Sequence, residues 1–139
     1  MNERTTITCW LISDVLLAIG LLYAQLALWA AIVFTATHNF YFLARRPQGA
    51  NFTLQVRFVY QGLLIIGQLP YCRWIDWVQL AGTTALLTTG YCPLARILSL
   101  APWNRTQPIN LGLLRKAVFT APVDGSILDV TTSSQTAIR

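Results

Sequence analysis

The chain is short of charge. Of its 139 residues 11% are charged and 55% hydrophobic, with a mean hydropathy of +0.51, whereas soluble domains carry about 25% charged residues. An ordinary soluble globule is excluded. Histidine occurs once, as His38, and the cysteines are three, Cys9, Cys72 and Cys92, widely spaced and without a CxxC pair. Neither a zinc site nor a disulfide scaffold is indicated. There are no paired carboxylates, no nucleophile beside a base and no phosphate loop, so no catalytic activity is expected. The ten basic residues are scattered singly or in pairs, which does not make a nucleic-acid footprint. Proline is missing from residues 7–43, and Gly20 is the one glycine there.

What fills those gaps is apolar sequence. The run from residue 7 to 43 is too long for a signal-peptide core, its n-region carries no net positive charge, and no small-residue cleavage site follows. It reads as a retained membrane helix. With no turn signal inside, it is expected as one long helix, residues 15–34 in the hydrocarbon and the remainder emerging through the headgroups; the alternative is two short re-entrant halves, which would put the N-terminus in the cytoplasm. A second apolar run covers residues 52–69 and a third opens at Trp74, with Pro70, Tyr71, Cys72 and Arg73 as a tight connection. The fold class expected is therefore an all-α membrane protein of about three transmembrane helices. Residues 1–46 form the long N-terminal helix, 51–105 a helical hairpin, and 106–139 an interfacial segment with Leu111, Leu114 and Val118 at helical spacing, followed by an extended polar tail.

Charge sets the orientation. In that arrangement Arg45, Arg46, Arg57, Arg96, Arg105, Arg115 and Lys116 share one side, and Arg4 and Arg73 lie on the other beside Glu3, Asp14 and Asp76. Positive charge inside then puts the C-terminus in the cytoplasm and the N-terminus outside, in a bacterial inner membrane. Arg57 is expected to snorkel to the near surface. Trp74, Trp77 and Trp103 are expected as interfacial anchors, with Tyr71 beside them.

The cluster Thr89-Gly90-Tyr91-Cys92-Pro93-Leu94-Ala95-Arg96, with Trp103-Asn104-Arg105, stops the third apolar run abruptly. Together with Gln55-Val56-Arg57, Gly62, Gly67 and Gly82, it makes residues 51–105 resemble the small two-helix membrane domain of unknown function that stands alone in many bacteria and also behind the rhodanese domain of YgaP-type inner-membrane sulfurtransferases. The resemblance implies a self-associating inner-membrane hairpin with no established chemistry of its own. No rhodanese domain precedes it here, so sulfur transfer is not implied.

Individual side chains sort as follows. Cys92 beside Arg96 is expected to pack rather than react. His38 is the one side chain able to ligate a haem or a chlorophyll magnesium, yet no small residue stands four positions earlier and no second histidine exists to complete a bis-histidine site. No cofactor is therefore expected, with a pigment or haem bound through His38 as a minor alternative. Asp14 is the single acid in the first run, placed near the outer end and within reach of water or Arg73. Gln25, Gln61, Gln68 and Gln79 are interhelical hydrogen-bond donors, and Gly62, Gly67, Ala81, Gly82, Ala85 and Thr89 offer small faces for helix packing. The expected role is a non-catalytic accessory or assembly subunit of a larger respiratory or photosynthetic membrane complex, with lipids, other membrane subunits or a second copy as partners. The alternative is a small homo-oligomeric channel or exporter for a sulfur-containing anion, drawn by Arg57 and Arg96.

Overall fold

The computed structural model describes residues 3–45, 51–104, 108 and 110–119, and every regular element among them is helical. The first apolar run is not one helix but two. The α1 helix (Glu3–Leu22) and the α2 helix (Gln25–Ala44) have 20 residues each, a rise of about 30 Å. Between them the chain reverses at Tyr23 and Ala24, whose N–H groups both return to the Ile19 carbonyl at 2.9 and 3.1 Å, while Ala24 is extended at φ −148° and ψ 116°. Gly20 makes the reversal possible. A Cβ there would lie 2.5 Å from Leu28 Cγ and 2.8 Å from the Leu28 backbone nitrogen. The two backbones thus meet with no room for a side chain.

The hairpin expected over the next segment is present. The α3 helix (Asn51–Gly67) and the α4 helix (Arg73–Thr89), 17 residues each, are joined by a turn through Cys72. Helix α4 ends at Gly90, the one described residue with positive φ (70°), whose N–H returns to the Leu86 carbonyl. Left-handed backbone at this position favours glycine. Pro93 does not terminate α4, as the sequence suggested. It opens a further helix, α5 (Pro93–Ser99), where its missing N–H costs nothing. The expected amphipathic segment is α6 (Leu111–Phe119). Arg46, Arg105 and the polar tail lie outside the described residues.

Helices α1 to α4 pack in cyclic order, each against its chain neighbours and α1 against α4, with α5 on α3 and α4, and α6 on α5. One end of the bundle holds both turns. The other holds Arg4, Arg45, α5 and α6. Between them Leu17, Leu28, Tyr60 and Leu64 form the core, flanked by Trp10, Leu21, Ile32, Leu80 and Leu94.

The distribution of polarity is inverted. Ser13, Thr35, Asn39, Arg57, Asp76, Gln79 and Thr83 are buried, while Ile7, Leu11, Val15, Leu26, Trp29 and Val33 are exposed. Of the described helices, α1 and α2 are long and apolar enough to cross a membrane.

Candidate functional site: the polar interior of the bundle

The turn end carries a one-way chain of hydrogen bonds. Arg73 donates to Gln25 Oε1 at 2.6 Å, Gln25 Nε2 to Gln68 Oε1 at 2.8 Å, and Gln68 Nε2 to Asp76 Oδ2 at 3.4 Å and to the Leu64 carbonyl at 3.1 Å. These residues meet because Gln25 and Arg73 open their helices and Gln68 follows the end of α3. Asp76 is fully enclosed. Gly67 makes its place: a Cβ there would fall 2.5 Å from Asp76 Cγ and 2.7 Å from Oδ2.

Farther along, Gln79 donates to the Tyr60 carbonyl at 3.0 Å and Gln61 to the Ile32 carbonyl at 3.2 Å. The Tyr60 hydroxyl stands 3.3 Å from Thr83 Oγ1, and its ring meets Trp10 edge-on, centroids 5.1 Å apart. All four glutamines therefore bridge helices, as expected of amides at depth in apolar runs. Asp14, half-buried where α1 meets α4, has its Oδ2 3.0 Å from Thr84 Oγ1. Arg73, its expected partner, is engaged at the turn end instead.

The opposite end holds Arg57. It does not snorkel outward; it is 3% exposed. Its guanidinium lies over Phe42 at 4.3 Å and Trp10 at 5.6 Å from the ring centroids, and Nη1 is 3.2 Å from His38 Nδ1 and 3.4 Å from Nε2. Asn39 closes the cage by donating to the Arg57 carbonyl at 3.3 Å. Aromatic faces offset a buried cation in part, and the Arg57 Nε has no hydrogen-bond partner. His38, the candidate haem or pigment ligand, has this cation against its ring. Among the described residues no cluster of three metal-ligating side chains occurs.

Arg96 is equally inward. At 6% exposure it lies 4.2 Å from the Tyr91 ring centroid and donates to the Ala117 and Val118 carbonyls, where the Tyr91 hydroxyl also donates to Val118 at 3.0 Å. These are the orphan carbonyls at the end of α6, and a cation there complements the helix dipole. The group expected to attract an anion instead clamps one helix to another. Cys92 caps α5, accepting from the Ala95 N–H at 3.5 Å, and burial pushes its thiol above the usual range. It lines an apolar cavity of about 170 Å³ with Trp10, Tyr60, Leu63, Val78 and Ile97.

The small residues divide. Gly67 seats Asp76, a Cβ on Gly82 would lie 3.8 Å from Pro93 Cγ, an ordinary contact distance, and a Cβ on Gly62 would meet nothing within 4 Å. Ala85 is half-buried, and Ala81 and Thr89 face outward. Trp74, Trp77 and Trp103 are exposed, with Tyr23 and Tyr71 at the turn end. Arg45 is exposed and lies 5.5 Å from the Tyr41 ring centroid. Sequence reasoning missed Gly20, whose position before Tyr23-Ala24-Gln25 was the available signal, and the Arg57 cage, which depends on three helices at once.

Comparison of the chain with protein-family models, curated proteins and solved structures gave no match.

Proposed function

We propose that this chain is a non-catalytic integral membrane subunit whose four-helix bundle spans a bacterial inner membrane and packs against other membrane helices of a larger complex. The inverted polarity carries the reading. In water an apolar coat on α1 and α2 over a polar interior would be strongly unfavourable, whereas in lipid it is the favoured arrangement. Rises of about 25–30 Å for α1 to α4 suit a hydrocarbon layer of about 30 Å. Tyr23, Tyr71, Trp74 and Trp77 make an aromatic girdle at the turn end.

Because residues 7–43 cross twice in this reading, the N-terminus moves from the expected outer side to the cytoplasm. Arg4, Arg45, Arg57, Arg96 and Arg115 then share the inner end, leaving Arg73 outside, which suits the positive-inside rule better than the three-helix arrangement. The exposed apolar residues Ile97, Leu111, Leu114 and Phe119 of α5 and α6 fit a plate on the inner leaflet. The anion-exporter alternative loses support because Arg96 is committed to α6.

Two measurements test this. An impermeant maleimide applied to whole cells should reach Cys72 and miss a cysteine placed by Thr5→Cys, which should react only in inverted vesicles; labelling of Thr5→Cys from outside overturns the topology. Purification in gentle detergent should recover stoichiometric partner subunits, and a lone homo-oligomer that conducts anions in liposomes overturns the subunit role.

A further inference from the structure

Asp14 stands near the middle of α1 (Glu3–Leu22, 20 residues), roughly 12–17 Å from either end at the helical rise. With α1 spanning the membrane, that places it away from both interfaces. Across the seam Thr84 Oγ1 lies 3.0 Å from Asp14 Oδ2 and 2.8 Å from the Leu80 carbonyl oxygen, and Asp14 Oδ1 is buried without a partner. A hydroxyl has one proton to give. If Asp14 is ionised, Thr84 turns to it and the carboxylate holds a single hydrogen bond at mid-depth, with one oxygen bare. If Asp14 is neutral, its own O–H donates to Thr84 and the Thr84 proton stays on the Leu80 carbonyl, as Thr35, Thr83, Thr88 and Thr89 hold their protons on carbonyls four residues back. The second arrangement leaves no charge in the apolar layer.

Beyond the Thr84 hydroxyl, no described group is hydrogen-bonded to Asp14 to hold the ionised form. The charged and titratable groups on the packed elements include Tyr60 and Arg57 of α3, Asp76 and Arg73 of α4, His38 and Tyr41 of α2, and Cys9 and Arg4 on α1 itself, with Arg4 at the start of α1 and Arg73 at the turn end bonded to Gln25. The Tyr60 hydroxyl meets Thr83, Arg57 and His38 meet each other at the inner end, and Asp76 is enclosed beside Gly67. No hydrogen bond joins any of them to Asp14 among the described residues.

We propose that Asp14 is a proton-binding site at mid-depth: a neutral carboxyl donating to Thr84 and reachable from the lipid side along the seam between α1 and α4. The proposal rests on the membrane-spanning reading. Ala81, Thr84 and Thr88 are exposed along that seam, so a small apolar reagent can approach. Such a carboxyl gives up its proton only when a base or water reaches the seam, and a neighbouring membrane helix is the natural carrier of either.

Dicyclohexylcarbodiimide, which partitions into lipid, tests this in native membranes. The acid proton passes to a carbodiimide nitrogen while the carboxylate oxygen bonds to the central carbon, and the adduct rearranges to a stable N-acylurea that peptide mass spectrometry locates. We expect the label on Asp14 and not on enclosed Asp76, with a water-soluble carbodiimide plus glycine ethyl ester at least tenfold slower at Asp14. If the water-soluble reagent modifies Asp14 as fast, the carboxyl is in water and the membrane reading itself falls. If neither reagent modifies Asp14 while the maleimide map still shows four crossings, the proton site alone is overturned.

Discussion

Replacing Gly67 by alanine should destabilise the bundle, and should cease to do so once Asp76 is removed. The added methyl would sit 2.5 Å from Asp76 Cγ and 2.7 Å from Oδ2, about 1 Å inside the separation of roughly 3.5–4.0 Å at which carbon atoms attract. Asp76 is fully enclosed, so it has nowhere to turn. Overpacking of this kind costs about 1–3 kcal/mol. Alanine is otherwise a better helix former than glycine, by up to about 1 kcal/mol in a helix interior and less at a terminal residue such as this. The net expectation is a loss of about 1–2 kcal/mol for Gly67→Ala in the parent chain. In an Asp76→Ala background the obstructing atoms are gone, and the same change should be neutral or stabilising by a few tenths of a kcal/mol. The coupling of about 2 kcal/mol stands well above the roughly 0.3–0.5 kcal/mol within which independent sites add. Unfolding by dodecyl sulfate in mixed micelles, followed by far-ultraviolet circular dichroism, measures all four corners of the cycle. An equal loss in both backgrounds refutes the argument, because it would mean that the glycine is needed for something other than room for the acid.

Gly20→Val should break the α1–α2 contact at a cost of at least about 1–3 kcal/mol, since the nearest obstruction includes the Leu28 backbone nitrogen, and the thermal midpoint in detergent should fall accordingly. Arg96→Met should free the end of α6, raising hydrogen exchange over residues 111–119 while α1 to α4 keep their protection; hydrogen bonds from a charged donor contribute about 1.5–3 kcal/mol. Gln68→Leu severs the link between Gln25 and Asp76, with a loss of about 0.6–1.7 kcal/mol typical of polar contacts in membrane bundles, read in the same micellar titration. Cys92, its thiol pushed up by burial, holds less thiolate at neutral pH than an ordinary cysteine; alkylation in detergent should be slow there and speed up as pH rises through the alkaline range, whereas a rate already flat above pH 7 refutes the assignment.

The parts of the fold legible in sequence are those in which one residue type answers to one local demand. Gly90 ends α4 because left-handed backbone requires it, Trp74 and Trp77 face outward at a helix start, and each glutamine in an apolar run seeks a carbonyl or amide on a neighbouring helix. The turn at Tyr23 and Ala24 was hidden because it uses neither glycine nor proline at the reversal. Its signals were indirect: an apolar run about twice the length of one crossing, a polar Gln25 near its midpoint, and Gly20 where the arms touch. Arg57 and Arg96 were misplaced for a related reason. A cation near a helix end in a membrane protein reads as a surface anchor, and only the approach of Trp10, Phe42 and His38, or of the α6 carbonyls, provides somewhere inside for it to go.

Placing the first reversal correctly changes the chemistry of one residue more than any other. With residues 7–43 as a single helix, Asp14 is an interfacial acid that water can hold in its charged form, and it calls for no further account. With the chain folded back at Tyr23, the same carboxyl sits near the middle of a 20-residue helix opposite a threonine whose proton already has an acceptor. Composition is identical in the two arrangements, so the difference between an unremarkable surface acid and an intramembrane proton site comes wholly from where the helix ends. That dependence also runs backwards: labelling of Asp14 by a lipid-soluble carbodiimide, and not by its water-soluble counterpart, would support a turn near residue 23, because in the single-helix arrangement both reagents should reach it.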